Sequence, residues 1–314
     1  MILHYVYYGI ISFYDIFMPM LNRVRDIKSG VMLSLCSTFF FSVMYLFTKL
    51  ASQHIPTAEI AFFRGFIGLV LVIPYMLYHK VSLTSGNKKL LFLRGLLGGI
   101  SILLSFYAVS KMKLSEVSIL LQTTPIFVVI FARMFLKEKL PKSFYLLMCV
   151  SICGVLFVIK PSFNSIGSVP AMLALLSAII ASIAYVCIKS LRKTHNTQIV
   201  VLYFTISAMV VPIPLMWHNF VLPDLRDVMF LLMVGITATV GQFFMTKAYG
   251  VEKAGLVSMV NYTTVFFNMF WDIIIWSAIL DIGSLIGGVL IILSSVILTL
   301  RTYSDAHAVR REEL

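Results

Sequence analysis

From residue 30 onward, long apolar runs alternate with short polar interruptions. The runs are not strand-like, because barrel strands alternate apolar and polar positions over about 10 residues. A helix rises about 1.5 Å per residue and bilayer hydrocarbon is about 30 Å thick, so a crossing helix needs roughly 20 apolar residues. Ten runs meet that requirement: 30–50, 58–79, 91–110, 115–136, 143–160, 168–189, 198–217, 227–248, 254–277 and 282–300. The pattern predicts an all-α integral membrane protein with ten transmembrane helices.

Composition agrees. The chain is 60% hydrophobic and 12% charged, against about 45–50% apolar and about 25% charged in soluble proteins. A net charge of +12 could point to nucleic acid. The placement of the charges points elsewhere. With the N-terminus inside, the inner segments hold 19 Lys and Arg residues, Arg94 counted among them, and the outer segments five: Lys49, Lys111, Lys113, Lys160 and Arg226. Such a bias predicts cytoplasmic termini in the cell inner membrane, with lipid rather than nucleic acid as the surrounding partner. Residues 1–29 read as a cytoplasmic or interfacial segment, since "MILHYVYYGIISFYDIFMPM" is broken by Asp15 and Pro19 and lacks signal-peptide features. An over-extended start, with translation from Met18 or Met20, and an eleventh span that would break the charge pattern are the other readings. Residues 301–314 read as a short solvated cytoplasmic tail.

The chain repeats itself. Shifted by 140 residues, Ser42, Tyr45 and Lys49 fall on Ser182, Tyr185 and Lys189, and Thr57 on Thr197. Ile73, Pro74 and Met76 fall on Ile213, Pro214 and Met216; Gly95 on Gly235; Ala108 on Ala248. Ser118, Thr123, Thr124 and Phe127 fall on Ser258, Thr263, Thr264 and Phe267. The repeats, 30–160 and 168–300, hold five spans each, and an odd number inverts the second copy in the membrane. Inverted repeats are the architecture of alternating-access carriers, with substrate near the midplane between the halves.

Three stretches carry a family likeness: "SVMYLFTKLASQHIPTAEIAFFRGFIGLVLVIP" (42–74), "LRGLLGGISILLSFYAVSKMKLSEVSILLQTTPIFVVIFARMFLKEKL" (93–140) and "GQFFMTKAYGVEKAGLVSMVNYTTVFF" (241–267). They resemble the drug/metabolite transporter superfamily, and within it the ten-helix EamA-type carriers. The likeness includes Glu138 at the inner end of the fourth span. The second repeat departs from it, with Trp276 near the equivalent place and Asp281 displaced. The resemblance implies a carrier of small metabolites such as amino acids, S-adenosylmethionine, nucleobases, nucleotide-linked sugars or drugs. The expected function is secondary transport, by alternating access, of a small polar or zwitterionic metabolite across a bacterial inner membrane. The cargo would be an amino acid or derivative, S-adenosylmethionine among the candidates. An exporter of the same fold is the alternative.

Polar residues inside the spans are the candidate site. In the ninth span Asn261, Val265, Asn268 and Asp272 lie on one narrow helical stripe. The fourth span offers Gln122, Thr123 and Thr124 just before Pro125, which removes a backbone donor and should break the helix. Both segments are expected to face each other across the substrate path, the competing reading being plain interhelical hydrogen bonding. Arg64, about 9 Å inside the second span, and Asp272, about 7.5 Å inside the ninth, match in depth. A pair is expected between them in the empty carrier, with a substrate carboxylate or amine competing for one partner, the competing readings being a permanent structural ion pair or Arg64 snorkelling to the outer surface. Glu59 is expected to pair with Lys49 at the surface. Tyr45, Tyr185, Tyr107, Tyr262 and Gln242 are further pocket candidates, against a competing role in packing and interfacial belts. Gly95 with Gly99, and Gly283 with Gly287, form GxxxG pairs suited to close helix packing. They leave a monomer or a homodimer open.

An enzyme would need a nucleophile–base set or metal ligands within the spans. The chain has no HExxH, GxSxG, Walker loop or CxxC, and its six histidines lie near span ends or in the tails. Cys149 and Cys153 share a helix face without His or carboxylate company, so they read as packing residues. No cofactor, metal or ATP site is expected. Transport is then exchange, facilitated, or driven by an ion or proton gradient, with Asp272 the buried candidate for proton coupling.

Overall fold

A computed structural model of the chain describes residues 30–78, 87–136, 144–159, 168–191, 197–217, 219–251, 260–294 and 296–297. The expectations for 1–29, for 301–314 and for Glu138 lie outside those residues. The described helices are α1 (Gly30–Ala51), α2 (Thr57–Tyr78), α3 (Lys88–Lys111), α4 (Leu114–Leu121), α5 (Thr124–Leu136), α6 (Phe144–Ile159), α7 (Ser168–Leu191), α8 (Thr197–Val210), α9 (Ile213–Met216), α10 (Leu225–Val251), α11 (Thr263–Trp276) and α12 (Ile282–Ser294). Seven stretches are long and apolar enough to cross a membrane, and three shorter apolar helices complete the ten expected positions.

The helices turn large apolar side chains outward, Leu77, Phe92, Leu146, Trp217 and Ile282 among them. Small polar residues face inward instead, as lipid demands when backbones must pack closely. Buried hydroxyls close on their own helix: Ser34 Oγ donates to Gly30 O at 2.9 Å and Thr48 Oγ1 to Met44 O at 2.8 Å.

The packing shows the inverted repeat. The 140-residue shift maps α1 onto α7, α2 onto α8, α3 onto α10, α4–α5 onto α11 and α6 onto α12. It therefore exchanges the α1–α10 contact with the α3–α7 contact, and α2–α10 with α3–α8, while α2–α8 maps onto itself. All five contacts are present. Single bonds follow the same rule. Ser37 Oγ of α1 donates to Gly241 O of α10 at 2.9 Å, and the repeat-related Ser177 Oγ of α7 donates to Ser101 O of α3 at 2.8 Å.

Two features of the sequence acquire positions. A Cβ on Gly95 would lie 2.8 Å from Tyr203 O, and one on Gly154 2.8 Å from Gly287 O, so both close approaches lie within one chain. The fourth span breaks between α4 and α5 at Gln122 and Thr123, just before Pro125. The repeat-related position, Tyr262, is the turn preceding α11, although no proline stands there.

Candidate functional site

Two polar centres sit inside the bundle. The first joins the ends of α1, α3 and α11 to the start of α4. Lys113, at the cap position of α4, makes no side-chain cap. Asp272 of α11 supplies one from across the interface: Leu114 N donates to its Oδ1 at 3.1 Å, Ser115 N to Oδ2 at 2.8 Å, and Ser115 Oγ to Oδ2 at 2.6 Å. A carboxylate there satisfies first-turn amides and meets the positive end of the helix dipole. Lys49 Nζ lies 3.7 Å from Asp272 Oδ1, donates to Met112 O at 2.9 Å and sits 4.5 Å over the Trp276 ring. Trp276, which departs from the family pattern, thus packs on the lysine that ends the first span.

This arrangement corrects three expectations. Arg64 does not pair with Asp272, whose oxygens are taken by Lys49 and the α4 amides; the equal depth of the two residues says nothing about the direction each faces. Glu59 does not pair with Lys49, because its side chain is buried and Oε2 accepts from Val221 N at 3.1 Å. The Asn–Asp stripe faces protein rather than a cavity. Asn268 donates to Ser118 Oγ, and Gln122 Nε2 donates to Asn261 O at 3.1 Å, so the stripe is the α4–α11 interface itself. The two segments do meet, as expected, but by interhelical hydrogen bonding. Thr123 Oγ1 donates to Leu120 O at 2.7 Å, and Tyr262 is buried at the turn before α11. Tyr107 is 37% exposed on the outer face of α3 and lines nothing central.

The second centre was missed. Arg94, counted in the sequence as an inner-loop charge, lies inside α3 and is 4% exposed; Arg64 of α2 is 6% exposed. Both rest on one ring, Phe204 of α8, with guanidinium carbons 5.2 Å (Arg64) and 4.5 Å (Arg94) from its centroid. Gly98 makes room one turn after Arg94: a Cβ there would lie 2.7 Å from Phe204 Cδ2 and Cε2 and would strike Arg94. The available signal was an arginine well inside a long helix, followed by glycines at 95, 98 and 99.

Neither arginine has a carboxylate partner among the described residues. Arg64 Nε, Arg94 Nε and Arg94 Nη1 are buried without a hydrogen-bond partner. Their ionisable neighbours are phenols and a thiol: Tyr45 beside Arg64, Tyr185 and Cys187 beside Arg94. Tyr45 and Tyr185, the repeat-related pair, also approach each other. The two guanidinium carbons lie no further apart than the sum of their distances to the ring centroid, so at an effective dielectric of 20 their charges repel by at least about 1.7 kcal/mol, and an unpaired arginine in a bilayer costs on the order of 2.5–3.5 kcal/mol on insertion scales. The ring attraction returns about 0.5–2 kcal/mol per cation. The pair is therefore short of negative charge.

A narrow crevice with room inside for about one water molecule opens beside Arg64 and is lined by Arg64, Val201, Phe204, Thr205, Ala238, Thr239 and Gln242. It lies where α2 of the first repeat meets α8 and α10 of the second. Thr205 Oγ1 donates to Val201 O at 2.7 Å and Thr239 Oγ1 to Gly235 O at 2.8 Å, and each hydroxyl retains acceptor capacity. The lining offers one cation, two hydroxyls and an amide, with no nucleophile–base set. Among the described residues no group of three or more His, Cys, Asp and Glu could hold a metal ion.

Comparison with known proteins places this architecture. The chain matches the EamA-like transporter family model twice, over residues 28–160 and 169–300. It is 39% identical over 274 residues to a pseudopaline exporter of Pseudomonas aeruginosa, covering 87% of this chain and 96% of that protein. It is 24% identical over 296 residues to an S-adenosylmethionine uptake transporter of Rickettsia felis, covering 93% of this chain and 98% of that one. A solved crystal structure aligns with 86% of this chain and 98% of its own, at a TM-score of 0.59 and 16% identity, a likeness of fold. Two family matches that span nearly all of a multi-pass helical chain identify it: the protein is a small-metabolite transporter, not an enzyme, and belongs to the EamA-like transporter family.

Proposed function

We propose that this carrier exports a small, polar, amino-acid-derived metabolite across a bacterial inner membrane by alternating access, with both termini in the cytoplasm. The observation that carries the reading is the Arg64 crevice at the seam of the two repeats, the place where an inverted-repeat carrier holds its cargo. Arg64, Gln242, Tyr45 and Tyr185 are its proposed contacts, joined by Arg94, Phe204, Thr205 and Thr239. Export is supported by the exporter relative, which aligns along almost its whole length. Uptake of S-adenosylmethionine fits less well, because its sulfonium and ammonium would face two uncompensated arginines. Asp272 is engaged in holding α4 to α11 and is given no coupling role, while Gln122, Thr123, Asn261, Tyr262 and Asn268 form the neighbouring broken-helix interface that rearrangement must disturb.

Counterflow in proteoliposomes tests the reading. The labelled panel comprises amino acids and their polar derivatives, S-adenosylmethionine, nucleobases and organic cations. Saturable exchange of a polar amino-acid derivative, lost in Arg64→Gln, is the expected result. Absence of saturable exchange for the whole panel contradicts transport of this class.

A further inference from the structure

Two carboxylates are buried where α2 of the first repeat begins beside α10 of the second. Glu59, in the first turn of α2, is 0% exposed, and Asp227, in the first turn of α10, is 5% exposed. Ile60 and Ala61 share one apolar cluster with Leu231 and Val234, and a Cβ on Gly235 would lie 2.5 Å from Ile67 Cβ, so the two helices run side by side from these ends. Glu59 Oε2 accepts from Val221 N at 3.1 Å, while Oε1 is buried without a partner and has Asp227 as its ionisable neighbour. Among the described residues neither acid forms an ion pair. The nearby cations are turned elsewhere: Lys49 of α1 is held by Asp272, and the exposed Arg226 lies 5.3 Å from the centroid of the Phe230 ring. His54 before α2, Tyr107 and Lys111 of α3, and Asp224 before α10 are exposed, and α9 and the adjoining end of α8 bring no titratable group. A helix N-terminus carries roughly half a positive charge, so two of them offset about one of the two carboxylate charges. We infer that Glu59 and Asp227 share one proton, carried on Glu59 Oε1, and that this proton holds the ends of α2 and α10 together. Like charges in one buried place are relieved when one of them stays protonated. Asp227 is the ionised member, because it exchanges caps with Asp224: Asp227 N donates to Asp224 Oδ1 at 2.7 Å, and Asp224 N to Asp227 Oδ2 at 3.4 Å. Helix capping alone accounts for Asp227 and leaves Glu59 Oε1 bare. Resting on the carrier reading and its orientation, these are the outer ends, and loss of the proton drives the two repeats apart there. The closed seam binds a proton that an open seam releases, so raising the pH favours opening to the outer side.

Infrared spectra of the full chain in phosphatidylcholine nanodiscs at neutral pH test the proton directly, through the carbonyl stretch of an un-ionised carboxylic acid. The wild type should show such a band. Glu59→Gln removes the group that carries the proton, and Asp227→Asn removes the charge that keeps it there, so each should abolish the band. Both replacements retain an acceptor for the backbone amide involved, and either variant that folds decides the matter. A wild type without the band, or a band that persists in either variant, overturns the inference. Counterflow in proteoliposomes, with the same pH on both faces, extends the test to opening. Wild-type exchange should rise at least about threefold from pH 6 to pH 8, and each variant should flatten that dependence. Wild-type exchange that ignores pH, or variants that keep the wild-type dependence, overturns the role in opening and leaves the carrier reading intact. No exchange of any solute sinks the carrier reading instead, while the band still reports the shared proton.

Discussion

Arg64 and Phe204 occupy equivalent positions of the two repeats, and the guanidinium carbon of the one lies 5.2 Å from the ring centroid of the other. The α2–α8 contact is the one that the repeat maps onto itself, so these two residues meet where the halves face each other. One half supplies the cation and the other supplies the surface that holds it. Arg94, also from the first half, shares that surface. The two halves are alike in fold and unlike at the proposed binding point, which is what a site for an asymmetric molecule needs.

Phe204 is the first target. Phe204→Leu keeps the side chain apolar and similar in bulk but removes the ring quadrupole, worth about 0.5–2 kcal/mol per cation. The half-saturating substrate concentration in counterflow should rise about tenfold, equivalent to about 1.4 kcal/mol, with membrane expression unchanged. An unaltered value would show that the ring does not position the arginines.

Gly98 is the second. A Cβ at this position meets both Phe204 and Arg94. Gly98→Ala in a helix interior is otherwise favourable by about 1 kcal/mol. The variant should therefore fold and reach the membrane, yet lose at least tenfold in transport rate. Wild-type transport in Gly98→Ala would mean that the guanidinium has room to spare.

The Asp272 cap makes a separate prediction about stability. Asp272→Ala strips the α4 amides of their acceptor and leaves Lys49 without its ion partner, and breaking a buried pair costs about 3–5 kcal/mol. Thermal unfolding in nanodiscs should show a marked loss. Adding Lys49→Met to Asp272→Asn should recover part of it, since no half-buried cation is then left alone. A charge exchange, Arg64→Asp with Asp272→Arg, should rescue neither stability nor transport, because the two side chains bind different partners. Recovery in that double variant would restore the pairing that equal depth in the membrane suggested.

Architecture was legible in the sequence because it depends on length, periodicity and repetition. The ten apolar runs, the constant shift between halves and the weakening of the fourth span before Pro125 are one-dimensional signals. The stripe Asn261–Asn268–Asp272 was likewise a correct face, since a 4, 3, 4 spacing fixes direction on its own helix. What faces that stripe depends on how α11 is rotated against α4, and no spacing encodes it. Arg64 and Asp272 matched in depth for the same reason that they failed to pair: depth is set by position along a helix, partners by rotation about it. Arg94 was hidden by its closeness to the start of α3, where a long basic side chain is ordinarily assigned to the headgroup region. Gly98 carried the missing information, but a glycine reads as packing until the ring it makes room for is known.

The most direct measurement of the central claim is transport itself. Proteoliposomes holding the full chain are preloaded with the unlabelled amino-acid derivative of the panel that exchanges best and given a trace of the labelled compound outside. A binding site at the seam of two inverted halves predicts a transient accumulation of label above its equilibrium level, abolished by Arg64→Gln and by Arg94→Gln. Label that only drifts to equilibrium in the wild type, or an overshoot that survives both substitutions, contradicts it.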